Sequence, residues 1–184
     1  MTQKRIAAFL IHSLGETGDR TEEFLTKEHF LASFRLRMKP AMKAAELIGL
    51  EPRIYVLRSE KAEDLDELTI ANPAIAILGK LSHPKKEFNS RIRMANIAAL
   101  SILKGTGVPI ILDYSDNLAD GKTVIHLFWK LILQASNIIV VPSNAMQNQL
   151  SESLKQKSIV IEDPLEGPKN NIISEHPNII FNKN

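Results

Sequence analysis

A doubly wound α/β sheet, with parallel strands and helices on both faces, is the fold class this sequence predicts. Three observations carry it. Short β-branched runs of strand length recur along the chain, at Arg5–Ile11, Pro52–Leu57, Ala74–Leu78, Val108–Leu112, Asn137–Val141 and Ser158–Ile161, each bounded by turn residues. Longer segments separate most of them, so successive strands are joined by crossovers, which make strands parallel and are right-handed. The stretch Val108 to Ser143 reads as one complete β-α-β unit, two apolar runs flanking a helix-length segment. A further run, Asn178–Asn182, brings the expected sheet to about six to seven strands.

Each element follows from local sequence. Arg5–Ile11 is the first strand, and a polar loop from His12 to about Leu31 follows it. In the next segment Met38, Ala41, Met42, Ala45 and Ile48 share one face at helical spacing. Pro40 suits that helix's first turn and Gly49 its stop, which leaves Arg35 and Arg37 just before it. Glu60–Leu68 is acidic and polar, a short surface helix or loop. His83–Phe88 is a turn, and Asn89–Leu103 is a helix closed by Lys104 and Gly105. Gly121–Ala135 is apolar around most of its circumference, so it is buried on several sides or docks onto another surface. Ser143 is placed to cap a helix over Asn144–Leu154. Residues 1–165 form one domain. Residues 166–184, rich in Gly, Pro and Asn, are a linker and the start of a second domain.

Composition narrows the function. The chain has 184 residues and 44% hydrophobic content, enough for a core, but aromatics make up only 5%, so Ile, Leu, Val, Ala and Met must fill it. With 23 basic and 21 acidic residues the net charge is +2, too balanced to argue for nucleic acid. Absence of cysteine excludes disulfides, thiol chemistry and thiolate metal sites. No histidines fall at metal-ligand spacing, so neither a metal nor another cofactor is expected. No apolar run reaches the ~20 residues of a membrane span, and the N-terminus lacks the apolar core and cleavage site of a signal peptide. A cytoplasmic protein is the expectation.

In parallel sheets ligands gather at the carboxyl ends of the strands. Asp113, Asp116 and Ser143 fall on that edge, and either carboxylate there suits a general base. Their structural alternatives are turn-stabilising hydrogen bonds for the aspartates and a helix cap for Ser143. His12 ends the first strand at the same edge, as substrate contact or loop hydrogen bond. Gly15 lies in the string GETG, which lacks the spacing of a phosphate-binding loop. Arg35 and Arg37 carry the planar fork that matches a diphosphate or an acidic sugar, or else are solvated or salt-bridged surface arginines. Lys80, Lys85, Lys86, Arg91 and Arg93 gather around one loop. Their charge suits a phosphorylated acceptor or a peripheral contact with anionic lipid, against the plainer reading of a solvated loop. No aromatics interleave them, which disfavours single-stranded nucleic acid.

Four stretches resemble the N-terminal half of a GT-B glycosyltransferase, close to glycosyltransferase family 4. They are SFRLRMKPAMKAAELIGLEPRIYVL (Ser33–Leu57), ILDYSDN (Ile111–Asn117), ASNIIVVPSNAMQNQL (Ala135–Leu150) and SIVIEDPLEGP (Ser158–Pro168). Together they span about Ile6 to Pro168. The resemblance implies a Rossmann-like acceptor-side domain facing a second, donor-binding domain across a cleft. The donor motif expected in that second domain does not occur in this sequence. It further implies that Asp113 and Asp116 stand near the catalytic base, and that His12, Gly15, Arg35, Arg37, Lys80, Ser115 and Ser143 line the substrate site. Where many relatives carry a histidine just before the aspartate, Ser115 stands here. The expected function is therefore half of a sugar transferase. It would move sugar from a nucleotide sugar to an acceptor hydroxyl, with a donor-binding subunit or domain as partner. The alternative is a non-catalytic module that binds a glycan or a protein. Apolar surface near the end of the chain leaves room for association with a second copy.

Overall fold

A computed structural model describes residues 5–11, 18–19, 34–56, 62–79, 90–117 and 119–162. The strands are β1 (Ile6–Ile11), β2 (Gly18–Asp19), β3 (Glu51–Val56), β4 (Ile75–Leu78), β5 (Ile110–Asp113), β6 (Ile138–Val141) and β7 (Ser158–Val160). A π-helical turn, Phe34–Met38, runs directly into α1 (Lys39–Leu47). The remaining helices are α2 (Ala62–Ala71), α3 (Ser90–Gly105), α4 (Val124–Ala135), α5 (Asn144–Asn148) and α6 (Glu152–Lys155).

The strands form one sheet in the order β2-β3-β1-β4-β5-β6-β7. All neighbours pair in parallel except the two-residue β2, which adds antiparallel to the β3 edge. The chain starts mid-sheet at β1, steps one way to β3, then crosses back to β4 and proceeds outward to β7. Since crossovers keep one hand, reversing direction moves the helices to the opposite face. Accordingly α1 packs with Ala7, Phe9, Ile54 and Ile77 on one face. On the other face α2, α3 and α4 cover Ala8, Leu10, Ala76, Leu78, Ile110, Leu112 and Ile139. The alternation of these residues along each strand is the period of two that an extended chain imposes. The result is the doubly wound, Rossmann-like α/β architecture, with its point of reversal between β1 and β4.

Among the described residues, coverage of the two faces is unequal. On the α1 side no described helix overlies the β6–β7 half, and Ile138, Ile159 and Ile161 are 39%, 48% and 53% exposed. These residues share a face with Val140, to which Ile159 is paired.

Several boundaries differ from the sequence expectation, each for a local reason. Gly49 does stop α1: at φ +81 it lets Leu50 N–H reach Ala45 O (3.0 Å) and its own N–H reach Glu46 O (3.0 Å), a Schellman motif. The same motif closes α3 two residues later than expected. Gly107, at φ +73, is the terminator, through Val108 N–H to Leu103 O (2.8 Å), and Gly105 is still helical. Within the expected Glu60–Leu68 segment, the described residues from Ala62 form helix α2, which extends to Ala71 with Leu68 buried in the core. The single helix expected over Asn144–Leu154 is two. Leu150 turns inward, and Ser151 adopts an extended conformation (φ −62, ψ 157) that starts α6.

Candidate functional site

The carboxyl ends of the parallel strands form one rim, and its most constrained feature is an ion pair. Asp113 is the last residue of β5. Strand alternation sends its side chain to the α1 face, as it sends Ile111, and sends Leu112 and Tyr114 to the other. Arg37 lies in the π-helical turn before α1, the kind of irregularity often found at functional positions. From there its Nε donates to Asp113 Oδ1 at 2.6 Å, and a terminal guanidinium nitrogen approaches the same oxygen. The two side chains are 9% and 10% exposed. Charge-assisted bonds of this length are strong, and burial sharpens them. The pair therefore bolts the start of α1 across the rim, over the end of β4. There a Cβ on Gly79 would lie 2.8 Å from Met38 Sδ, so any larger residue at 79 would displace Met38.

Beyond Asp113 the chain turns through Tyr114, Ser115, Asp116 and Asn117. Tyr114, 1% exposed, packs its ring against Trp129 (centroids 6.1 Å apart). Its hydroxyl accepts from Ala119 N–H at 2.9 Å and reaches Asn117 Oδ1 at 3.3 Å. One buried phenol thus fixes the shape of the loop from both sides. Within it the Ser115 Oγ is buried without a hydrogen-bond partner. A hydroxyl so placed loses its water without replacement, a cost that a bound group would remove. Asp116 is half-buried on the same loop.

The structure thus brings Arg37, Asp113, Ser115 and Asp116 to one end of β5. Ser143 belongs to the neighbouring strand tip, after β6, where its Oγ accepts the Met146 N–H at 3.2 Å and caps α5. His12, Gly15 and Lys80 lie outside the described residues, as do Lys85 and Lys86 and the side chains of Arg35, Arg91 and Arg93. As expected, Arg37 stands just before α1, in a π-helical turn that runs into that helix. The π-helical turn adds five residues in front of α1 and carries Arg37 with it.

A second concavity opens on the opposite side of the sheet from α1. A groove of about 580 Å3 runs between the 114–120 loop, α4 and the α5–α6 pair. Its walls carry Asn117, Asp120, Lys130, Gln134, Gln149 and Ser151, above Leu133, Leu150 and Leu154. Sequence reasoning singled out none of these, because they come together only when the turn at Gln149–Ser151 splits the expected helix. Among the described residues no cluster of three or more His, Cys, Asp or Glu could hold a metal ion, and no helix is long and apolar enough to cross a membrane.

Comparison with models of known protein families finds no match, and comparison with curated proteins finds no significant relative.

Proposed function

We propose that this chain is the acceptor-side half of a sugar transferase, active when a donor-binding domain or subunit supplies the facing wall of the cleft. The observation that supports it most directly is the gathering of Arg37, Asp113, Ser115 and Asp116 on the carboxyl rim, where doubly wound folds bind ligands. Within that reading the residues divide their roles. Asp113 has Oδ1 occupied by the guanidinium, so it orients Arg37 rather than accepting a proton. Asp116 is the general base for the acceptor hydroxyl. Ser115 Oγ is the hydrogen-bonding group that the acceptor would satisfy. Neutralising the leaving diphosphate falls mainly to the partner.

The test begins by purifying the full chain with whatever protein completes the cleft, then assaying sugar transfer. Asp116→Asn is expected to lower turnover about a hundredfold or more. Unchanged turnover removes Asp116 from the reaction. Alone, the chain should bind nucleotide sugar weakly by calorimetry, and tight binding would contradict the division of labour. One observation favours a second reading, a non-catalytic binding module: of the two rim aspartates, Asp113 is already committed to a structural pair.

A further inference from the structure

We propose that the groove between α4 and the α5–α6 pair is a binding site for a neutral saccharide. The groove's own chemistry supports this independently of the transferase reading. Its volume, about 580 Å3, is that of an ordinary small-ligand cleft, ~300–1,000 Å3, with room for a short oligosaccharide. Its polar groups are chiefly of one kind: the carboxamides of Asn117, Gln134 and Gln149 and the hydroxyl of Ser151. A carboxamide offers donor and acceptor side by side, the pairing that a sugar hydroxyl, itself both donor and acceptor, can meet at one point.

The two charges on the walls, Lys130 and Asp120, are opposite, so the groove has no net preference for an anion or a cation. Lys130 Nζ is further turned toward Gly121 O, at 3.3 Å. No aromatic face is offered to a base, since the Tyr114 ring is buried and its hydroxyl engaged. The leucine floor suits the C–H face of a pyranose ring.

The walls are fixed before any ligand arrives, which lowers the ordering cost of binding. Tyr114 pins the loop, and Lys130 ties α4 to it. Gln147 Nε2 donates to Ser158 O (3.2 Å) and Ser158 Oγ (2.9 Å), holding α5 to β7.

The experiment is a titration of the isotopically labelled full chain with maltose, cellobiose and diacetylchitobiose, each followed by NMR. Saturable shifts of the Gln134 and Gln149 side-chain NH2 signals are expected with at least one of these sugars. Gln134→Ala and Gln149→Ala should each weaken binding about tenfold. Both positions are exposed, so the fold should survive, and Lys122→Ala, outside the groove, should bind as the parent does. Absence of shifts with every sugar, or shifts that persist at parental affinity in both variants, would overturn the proposal. No transfer assay enters this test, so it can fail or succeed independently of the transferase reading.

Discussion

Lys157 shows how much one side chain can organise at the amino edge of the sheet. Its ammonium donates to the carbonyls of Leu133 (2.8 Å), Gln134 (3.1 Å) and Ser136 (2.6 Å), closing the C-terminus of α4 where the helix dipole is negative. Replacing it with methionine should cost about 1–2 kcal/mol at neutral pH, measured by denaturant unfolding. Burial, reinforced by the charge of Lys104, holds its pKa below lysine's ordinary 10.5. Over the range below 10.5 the unfolded chain binds this proton more readily than the folded one. Stability on this group's account therefore rises as pH climbs through that range. Lys157→Met should abolish that rise, and an unchanged profile would show that another group is responsible. Asn137 works similarly on β5. Its Oδ1 accepts the Ile110 N–H at 2.9 Å while its own N–H reaches Ile110 O at 2.8 Å. Neither role has a sequence signature, since a surface lysine and a strand-edge asparagine look the same wherever they point.

At the scale of elements, the N-terminus of α4 is the most finely specified join. His126 Nδ1 accepts the Thr123 N–H at 3.2 Å and lies 2.7 Å from Thr123 Oγ1, so the imidazole replaces the Glu or Gln of a capping box. Room for the ring exists because residue 121 has no side chain: a Cβ there would come within 2.6 Å of His126 Cε1. Gly121 also sits at φ +136, a conformation disfavoured for other residues. Gly121→Ala is expected to lower stability by about 2–3 kcal/mol, with a matching fall in Tm by calorimetry. Adding His126→Ala should restore part of the loss by relieving the clash, and no restoration would assign the whole effect to backbone strain. The apolar character of this segment was legible in the sequence, but which side packs was not: Phe128, Trp129, Ile132 and Leu133 are buried while Leu127 and Leu131 are exposed. Nor were the π-helical turn and the break at Gln149–Ser151 legible. Both arise from what the adjoining side chains reach, Asp113 for the first and the core through Leu150 for the second.

For the molecule as a whole, parallel order was readable because longer segments separate most of the strand runs, so that successive strands are joined by crossovers. The carboxyl rim followed from that order. Which rim residues pair with which did not, because the partners come from distant parts of the chain. Among the described residues, Ile138, Ile159 and Ile161 on the α1 side of the sheet are left exposed.

The bridge between Arg37 and Asp113 joins residues 76 apart in sequence. Contacts of such separation require a large loop to close, so this one is expected to form after the folding barrier has been passed. Removing one partner of a buried pair costs about 3–5 kcal/mol. In Arg37→Met that loss should appear as unfolding accelerated by about two hundredfold to five thousandfold, with refolding nearly unchanged. Stopped-flow chevrons would show it, and slowed refolding would instead place the bridge in the nucleus. On that expectation, Arg37 sets the lifetime of the native chain rather than the pace at which it is reached.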